Sequence, residues 1–368
     1  MNRLVIELLN LERGKAYGFQ EYICNLLNYF YYHRNDINYG RIIIWCKDTE
    51  KNFFNQYEDR FEVKGYKYSS YLGRHWLQTT LPFKNKLNKN DLIFSPGNIT
   101  GVVKRCRIVL TIHDLLFKRK DWLPNKLIRL QREFLVPISI KNADLIVAIS
   151  KFTKEDIENY YPNAKGKIEV IYNSFNFSKY DGGTATDNVG GYFLSISMNA
   201  DYKNQKSVLK AFRIYRESGG DKQLVIVGRM NPDSEASREY SRLPQIVKEH
   251  IEWKSNISNK ELGSIYKGAS CFISASKFEG LGMPVVEAMS FDLPVLLSDI
   301  PPHREVSMNK AIYFNPSDVE EIAQKMLAMD FVRRGYKDDV REMFSEEKTS
   351  AAYIRVFNSL ASSNPGID

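Results

Sequence analysis

Two glutamates, Glu279 and Glu287, stand eight positions apart in the stretch SKFEGLGMPVVEAM, with Gly280, Gly282 and Pro284 between them. Paired carboxylates with so little side chain between them suit polyol recognition as well as acid–base work. The glycines permit tight turns and close backbone approach. Pro284 is suited to the first position of a helix, which would put Glu287 in that helix's first turn. Free N–H groups at a helix start form an anion site, and a phosphate held there would lie between the two carboxylates. A nucleoside diphosphate sugar matches this set. Its phosphates would take backbone amides, one carboxylate would take the vicinal ribose hydroxyls, and the other would take hydroxyls of the sugar. The plain alternative is a glycine loop followed by a helix start with acidic residues at its positive end.

Such residues need a strand before them and a sheet to hold them. CFISA reads as the strand, KFEGLGM as a loop at its carboxyl end, and PVVEAMS as the helix. The same alternation of short β-branched runs and amphipathic segments covers the chain. RLVIELL, RIIIWC, DLIFS, RIVLTIHD and DLIVAIS are the strands of the first half, and GYFLSIS, KQLVIVG, CFISA and PVLLSD those of the second. This rhythm predicts parallel sheets covered by helices. It stops at residues 173–191, rich in Gly, Ser, Asn and Thr, which read as a linker. The expected fold is α/β, with Rossmann-like domains at 1–178 and 190–344. A helix in 345–368 is expected to cross back to the first. Ligands of such sheets bind at the carboxyl ends of strands, so the expected site is the cleft where the two domains face each other.

Composition narrows the function classes. The chain has 368 residues, 43% of them hydrophobic, enough for two cores. Cys24, Cys46, Cys106 and Cys271 form no CxxC pair and no metal-ligand spacing, as expected of reduced thiols in a cytoplasmic protein. No secretory signal and no run of about 18 apolar residues is visible. Residues 1–180 hold 29 basic and 18 acidic side chains, 29 − 18 = +11, and the remainder 23 − 26 = −3. A basic front half suits anionic lipid, an anionic substrate or simply a soluble surface. Nucleic acid is not expected, because no zinc-finger spacing, RNP-like motif or dense basic tract occurs. The tract KRKDWLPNKLIRLQREF (118–134) mixes basic and apolar residues. It reads either as a peripheral contact with an anionic membrane or as a solvated helix face.

FEGLGMPVVEAM closely resembles the E-x7-E segment of the family 4 retaining glycosyltransferases, which have the GT-B fold. The resemblance continues in order along the chain: TIHDL (111–115), ADLIVAISKFT (143–153), VIYNSF (170–175), VLKAF, LVIVGR and NPSDVEEIA. It implies that Glu287 binds the donor ribose and that Glu279 contacts the donor sugar. Backbone groups of Gly280, Leu281, Gly282 and Met283 would hold sugar and phosphates. It further implies that His113 lies beside the transferred sugar, that Lys203 meets the diphosphate, and that Gly18 approaches the phosphates. Against the family pattern, Tyr202 replaces an arginine, Ser197 and Asp292 replace glycines, and Gln20 and Glu21 stand where many members have Gly and Arg.

The function so implied is transfer of a sugar from a nucleoside diphosphate sugar, a GDP- or UDP-sugar, to a glycan or lipid-linked acceptor in cell-surface polysaccharide assembly. The N-terminal domain would bind the acceptor and the C-terminal domain the donor. No cofactor is expected, and the absence of any Asp-x-Asp pair argues against a metal-bridged diphosphate. A sugar-nucleotide epimerase or hydrolase of the same architecture, or a non-catalytic nucleotide-sugar sensor, are the competing readings. A Rossmann dehydrogenase is disfavoured because no GxGxxG follows a strand.

Overall fold

The computed structural model describes residues 2–14, 17–119, 122, 125–180, 191–196 and 200–362. The chain divides into two units, Met1–Ser174 with Phe344–Asp368, and Phe175–Met343.

The first unit holds β1 (Arg3–Leu8), β2 (Arg41–Lys47), β3 (Glu62–Tyr66), β4 (Leu92–Ser95), β5 (Arg107–Ile112), β6 (Leu145–Ala148) and β7 (Ile168–Val170). Its helices are α1 (Tyr17–Tyr32), α2 (Lys51–Phe54), α3 (Tyr71–Lys84), α4 (Lys126–Asn142), α5 (Lys151–Tyr160) and α14 (Glu346–Ser362). The strands pair in parallel in the order β3-β2-β1-β4-β5-β6-β7. Both faces are covered, which is why the inner strands read as near-continuous apolar runs. Leu4, Ile6 and Leu8 pack with Tyr22, Leu26 and Phe30 of α1 and with Tyr353 and Phe357 of α14. Val5 and Ile93 point the other way, onto Leu81 of α3. Ile108 and Leu110 meet Leu135, Val136 and Ile140 of α4. The Tyr22 and Tyr353 hydroxyls, 2.6 Å apart, pin α14 to α1.

The second unit holds β8 (Tyr192–Ile196), β9 (Gln223–Val227), β10 (Ile251–Lys254), β11 (Cys271–Ser274), β12 (Val295–Ser298) and β13 (Ile312–Phe314). They pair in parallel as β10-β9-β8-β11-β12-β13. Its helices are α6 (Gln205–Glu217), α7 (Glu235–Arg242), α8 (Gln245–Lys248), α9 (Asn259–Gly268), α10 (Met283–Ser290), α11 (Pro301–Val306), α12 (Val319–Leu327) and α13 (Lys337–Phe344). Each sheet reverses its strand order once, between β1 and β4 in the first unit and between β8 and β11 in the second. Such a reversal opens a crevice at the carboxyl ends of the two central strands. No helix among the described residues is long and apolar enough to cross a membrane.

Two details differ from the sequence reading. The stretch 173–191 is not a bare linker: a 3-10 helix at Phe177–Tyr180 buries Tyr180, with Phe175 also buried. The rings of Phe177 and Tyr180 each pack against Phe175, and Tyr180 against Tyr266. The helix α10 begins at Met283, so Glu287 is its fifth residue and sits in the second turn rather than the first. Residues 181–190 and Ser197 lie outside the described residues, as do Lys120, Asp121, Leu123 and Pro124 of the basic and apolar tract at 118–134.

Candidate functional site

Lys203 and Glu279 follow adjacent strands at the reversal point of the second sheet. Lys203 ends a 3-10 turn, Asp201–Lys203, that comes after β8. Asn204 closes that turn in the left-handed conformation, φ +55°, and its side chain donates to the Pro316 carbonyl at 2.7 Å. Glu279 lies in the loop after β11. The Lys277 amide donates to the Tyr202 carbonyl at 2.8 Å, fastening this loop to the turn that carries Lys203. The Lys203 ammonium then donates to both Glu279 carboxylate oxygens, at 2.8 and 2.7 Å. Tyr202, where the family pattern has arginine, places its ring 5.3 Å from that ammonium.

This ion pair is mostly buried, with 15% of the lysine side chain and 12% of the glutamate exposed. Burial alone would push the Glu279 carboxyl up. The charges of Lys203 and His303, with hydrogen bonds from Lys203 and Ser276, outweigh it and hold the group below its ordinary value. Glu279 is therefore ionised at neutral pH. His303, which no sequence motif marks, is fully buried on α11. The Ser298 hydroxyl donates to the Ser276 carbonyl, so it accepts from His303 Nδ1 at 2.9 Å. Burial lowers the His303 pKa, against the opposing pull of Glu279.

Gly282 is the N-cap of α10, with φ +102° and no side-chain cap. A side chain there would be strained by its backbone angle rather than by crowding, since the nearest atom to an added Cβ is His303 Cδ2 at 3.6 Å. The loop from Gly280 to Met283 thus reaches a helix start that no side chain caps. Leu281 is buried beneath it.

Glu287 is brought to different partners. Its Oε2 accepts from the Tyr266 hydroxyl at 2.6 Å, and its Oε1 lies 3.9 Å from the Lys179 ammonium. The two glutamates are therefore served by separate cations. Tyr266 lies on α9, and Lys179 in the stretch read as a linker. Nothing in their local patterns marks them.

In the first unit, His113 follows β5. Its Nε2 lies 2.7 Å from the Pro96 carbonyl, which only accepts, so the proton sits on Nε2 and Nδ1 keeps its lone pair. The ring packs edge-on to Phe19 and Tyr22. Burial pulls its pKa down, against the Pro96 carbonyl and Asp114, and the imidazole is neutral at pH 7. Asp114 accepts from the Leu116 amide at 2.9 Å, a local turn. Gly18 lies in the first turn of α1 and is exposed, with nothing within 4 Å of an added Cβ.

Comparison with known proteins follows the same outline. Solved structures of similar fold include HepE from Anabaena in complex with UDP and glucose (14% identity, TM-score 0.71, covering 98% of this chain and 100% of that one). Another is a glycosyltransferase from Rickettsia africae (15% identity, TM-score 0.72, 99% of each chain). Two all-parallel sheets of this kind, in this likeness, define the GT-B class. A model described as glycosyl transferases group 1 matches residues 183–329, and one described as Glycosyltransferase Family 4 matches residues 40–179. The chain belongs to the family 4-type glycosyltransferases of GT-B fold. An O-antigen chain mannosyltransferase of Salmonella typhimurium is 30% identical over 210 residues, 57% of this chain and 57% of that protein. A GDP-mannose:cellobiosyl-diphosphopolyprenol alpha-mannosyltransferase of Xanthomonas oryzae is 26% identical over 170 residues, 45% of this chain and 44% of that protein. The matches thus span little more than half of these relatives, or less.

Proposed function

We propose that the chain transfers a hexosyl group, with retention of anomeric configuration, from a GDP- or UDP-sugar to a glycan or lipid-linked acceptor in cell-surface polysaccharide assembly. The observation that carries this reading is the Lys203–Glu279 pair beside the uncapped start of α10. Lys203 and the α10 amides would face the diphosphate and meet the charge that develops on it, with no metal ion needed. Glu279, held ionised, would accept from sugar hydroxyls, and Glu287 from the ribose hydroxyls. The C–O bond to the phosphate breaks and the nucleoside diphosphate keeps the electron pair. The acceptor oxygen bonds to the anomeric carbon from the same face, and its proton passes to a leaving phosphate oxygen. His113, neutral and with Nδ1 unprotonated, would lie beside the transferred sugar as a hydrogen-bond acceptor. The names of the relatives, an O-antigen mannosyltransferase and one that uses GDP-mannose with a diphosphopolyprenol-borne acceptor, favour mannose and a lipid-linked acceptor.

The test is thermal stabilisation by UDP, GDP, dTDP and CMP sugars, followed by analysis of the product anomer. One donor raising the melting temperature, with the effect lost in Glu287→Ala, is the expected result. Inverted product, or no stabilisation by any nucleotide sugar, would overturn the reading.

A further inference from the structure

The Lys203 ammonium is needed in two places. In this structure it is committed to Glu279, donating to both carboxylate oxygens. In the proposed reaction it meets the diphosphate. When it moves, Glu279 is left as a buried charge without its cation. Such a charge either finds a second cation or takes up a proton itself. A protonated Glu279 would lose acceptor capacity toward sugar hydroxyls.

His303 is placed to be that second cation. It is fully buried on α11. Its Nδ1 lies 2.9 Å from Ser298 Oγ and 3.1 Å from the Ser298 carbonyl. The carbonyl only accepts, so Nδ1 carries the proton and Nε2 keeps its lone pair. Nε2 is buried and has no hydrogen-bond partner among the described residues. An unmade hydrogen bond at a buried acceptor is costly, so an atom held in that state calls for a use. The ring's Cδ2, bonded to Nε2, lies 3.6 Å from the Cβ position of Gly282. The Nε2 edge thus faces the loop that carries Glu279. The other nitrogen is linked to Glu279 by a chain of hydrogen bonds. His303 Nδ1 donates to Ser298 Oγ, Ser298 Oγ to the Ser276 carbonyl, and the Ser276 hydroxyl to the Glu279 carboxylate.

Two charges reach the ring. Glu279 draws a proton onto it and Lys203 opposes, while burial keeps the imidazole neutral. Neighbouring charged groups are engaged elsewhere. On α10, Glu287 accepts from Tyr266; on α11, Arg304 is paired with Asp299. Glu305, two positions along α11, does not share the face of His303. Once Lys203 turns to a phosphate, its opposition is cancelled and the pull of Glu279 remains. The diphosphate adds negative charge of its own.

We propose that His303 is a positioning residue, the second counter-ion of Glu279: when a donor diphosphate draws Lys203 away, Nε2 takes one proton from solvent and the imidazolium holds Glu279 ionised. Donor binding is thereby coupled to proton uptake, which rests on the reading in which Lys203 meets the diphosphate.

The experiment has two arms. The first needs no ligand, because Lys203→Met removes the cation. Nitrogen NMR of the histidine rings follows His303, identified by the signals missing in His303→Asn. Asparagine keeps an N–H donor for Ser298 but has no basic nitrogen. In the parent His303 should be neutral near pH 7, with its proton on Nδ1. In Lys203→Met its titration midpoint should rise by roughly one pH unit or more. An unmoved midpoint overturns the proposal. The second arm is calorimetry with GDP-mannose and UDP-glucose, whose phosphate diesters do not titrate near neutral pH, in buffers of different ionisation heat. The sugar nucleotide that binds should bring in up to about one proton, and its affinity should fall by up to about tenfold per unit as pH rises through neutral. His303→Asn should abolish the uptake. Binding without proton uptake overturns the proposal and leaves the functional reading standing. Uptake that persists in His303→Asn also overturns it, since the proton then goes to Glu279 itself. If neither sugar nucleotide binds, the functional reading is what fails, and the midpoint in Lys203→Met decides for or against His303.

Discussion

The substitution Lys203→Met removes the one side chain that holds both oxygens of Glu279. The unbranched methionine stem can follow the lysine's path, so the change isolates the charge. Breaking a buried ion pair from one side costs about 3–5 kcal/mol, because the remaining charge is buried and uncompensated. The pair retains 12–15% side-chain exposure, which lets water reach it. A cost of roughly 2–4 kcal/mol is the reasoned value. For a unit of this size that is a fall of roughly 5–15 °C in melting temperature. Glu279→Gln should cost less, about 1 kcal/mol, because the freed ammonium keeps the Tyr202 ring and can bend toward solvent on its flexible stem. The double variant should recover part of the loss, giving a coupling of about 2 kcal/mol. Hydrogen exchange of peptides from β8 and α10 reads this stability locally, without assuming that the two units unfold together. The pH dependence carries the sign. In the parent, Glu279 has a pKa below its ordinary 4.5, so its contribution is full above that value and is lost as pH falls through the folded pKa. In Lys203→Met, burial dominates and the pKa rises. The variant's deficit should then grow as pH climbs past about 4.5 and shrink below it. A coupling within about 0.5 kcal/mol of zero, or a deficit that does not depend on pH, would refute the argument that this is a buried clamp.

Three further outcomes follow from the geometry. Gly282→Ala should cost about 1–3 kcal/mol through its left-handed backbone, and should weaken any donor-induced melting shift more than a same-cost core substitution does. Tyr266→Phe leaves Glu287 Oε2 without its 2.6 Å donor and should lower stability by about 1–3 kcal/mol, measurable by exchange of α9 and α10 peptides. His75, His113 and His303 are all held below the ordinary 6.5 by burial, His75 at about 4. The unfolded chain therefore takes up protons first as pH falls below about 6.5, and stability should drop from there. His113→Asn should remove up to one proton, about 1.4 kcal/mol per pH unit, from that slope in the first unit; an unchanged slope would count against a buried neutral His113.

What the sequence made legible follows burial. The nine strand runs read from it are β1, β2, β4, β5, β6, β8, β9, β11 and β12, which occupy the inner positions of the two sheets. The four strands it did not show are β3, β7, β10 and β13, and every one is an edge. Edge strands keep polar residues facing solvent, as in EVKGY and IEWK, and two have only three residues. Neither periodicity nor apolar density marks such pieces.

The site divides along a related line. Glu279 to Glu287 are contiguous, so their chemistry can be read as a string. Lys203 and Glu279 are 76 positions apart, and they meet only because β8 and β11 lie side by side where the strand order reverses. Tyr266, Lys179 and His303 arrive by the same kind of crossing, and no spacing rule anticipates them. The departures from the family pattern show the converse. Asp292 stands where a glycine is usual, yet its backbone holds φ +58°, and its carboxylate accepts from the Lys337 amide at 2.8 Å. Aspartate is among the few residues that tolerate that conformation. The geometry that a glycine would record is therefore kept while the letter changes. A substitution at such a position tests the backbone, and only its hydrogen bonds tell whether the site has been altered.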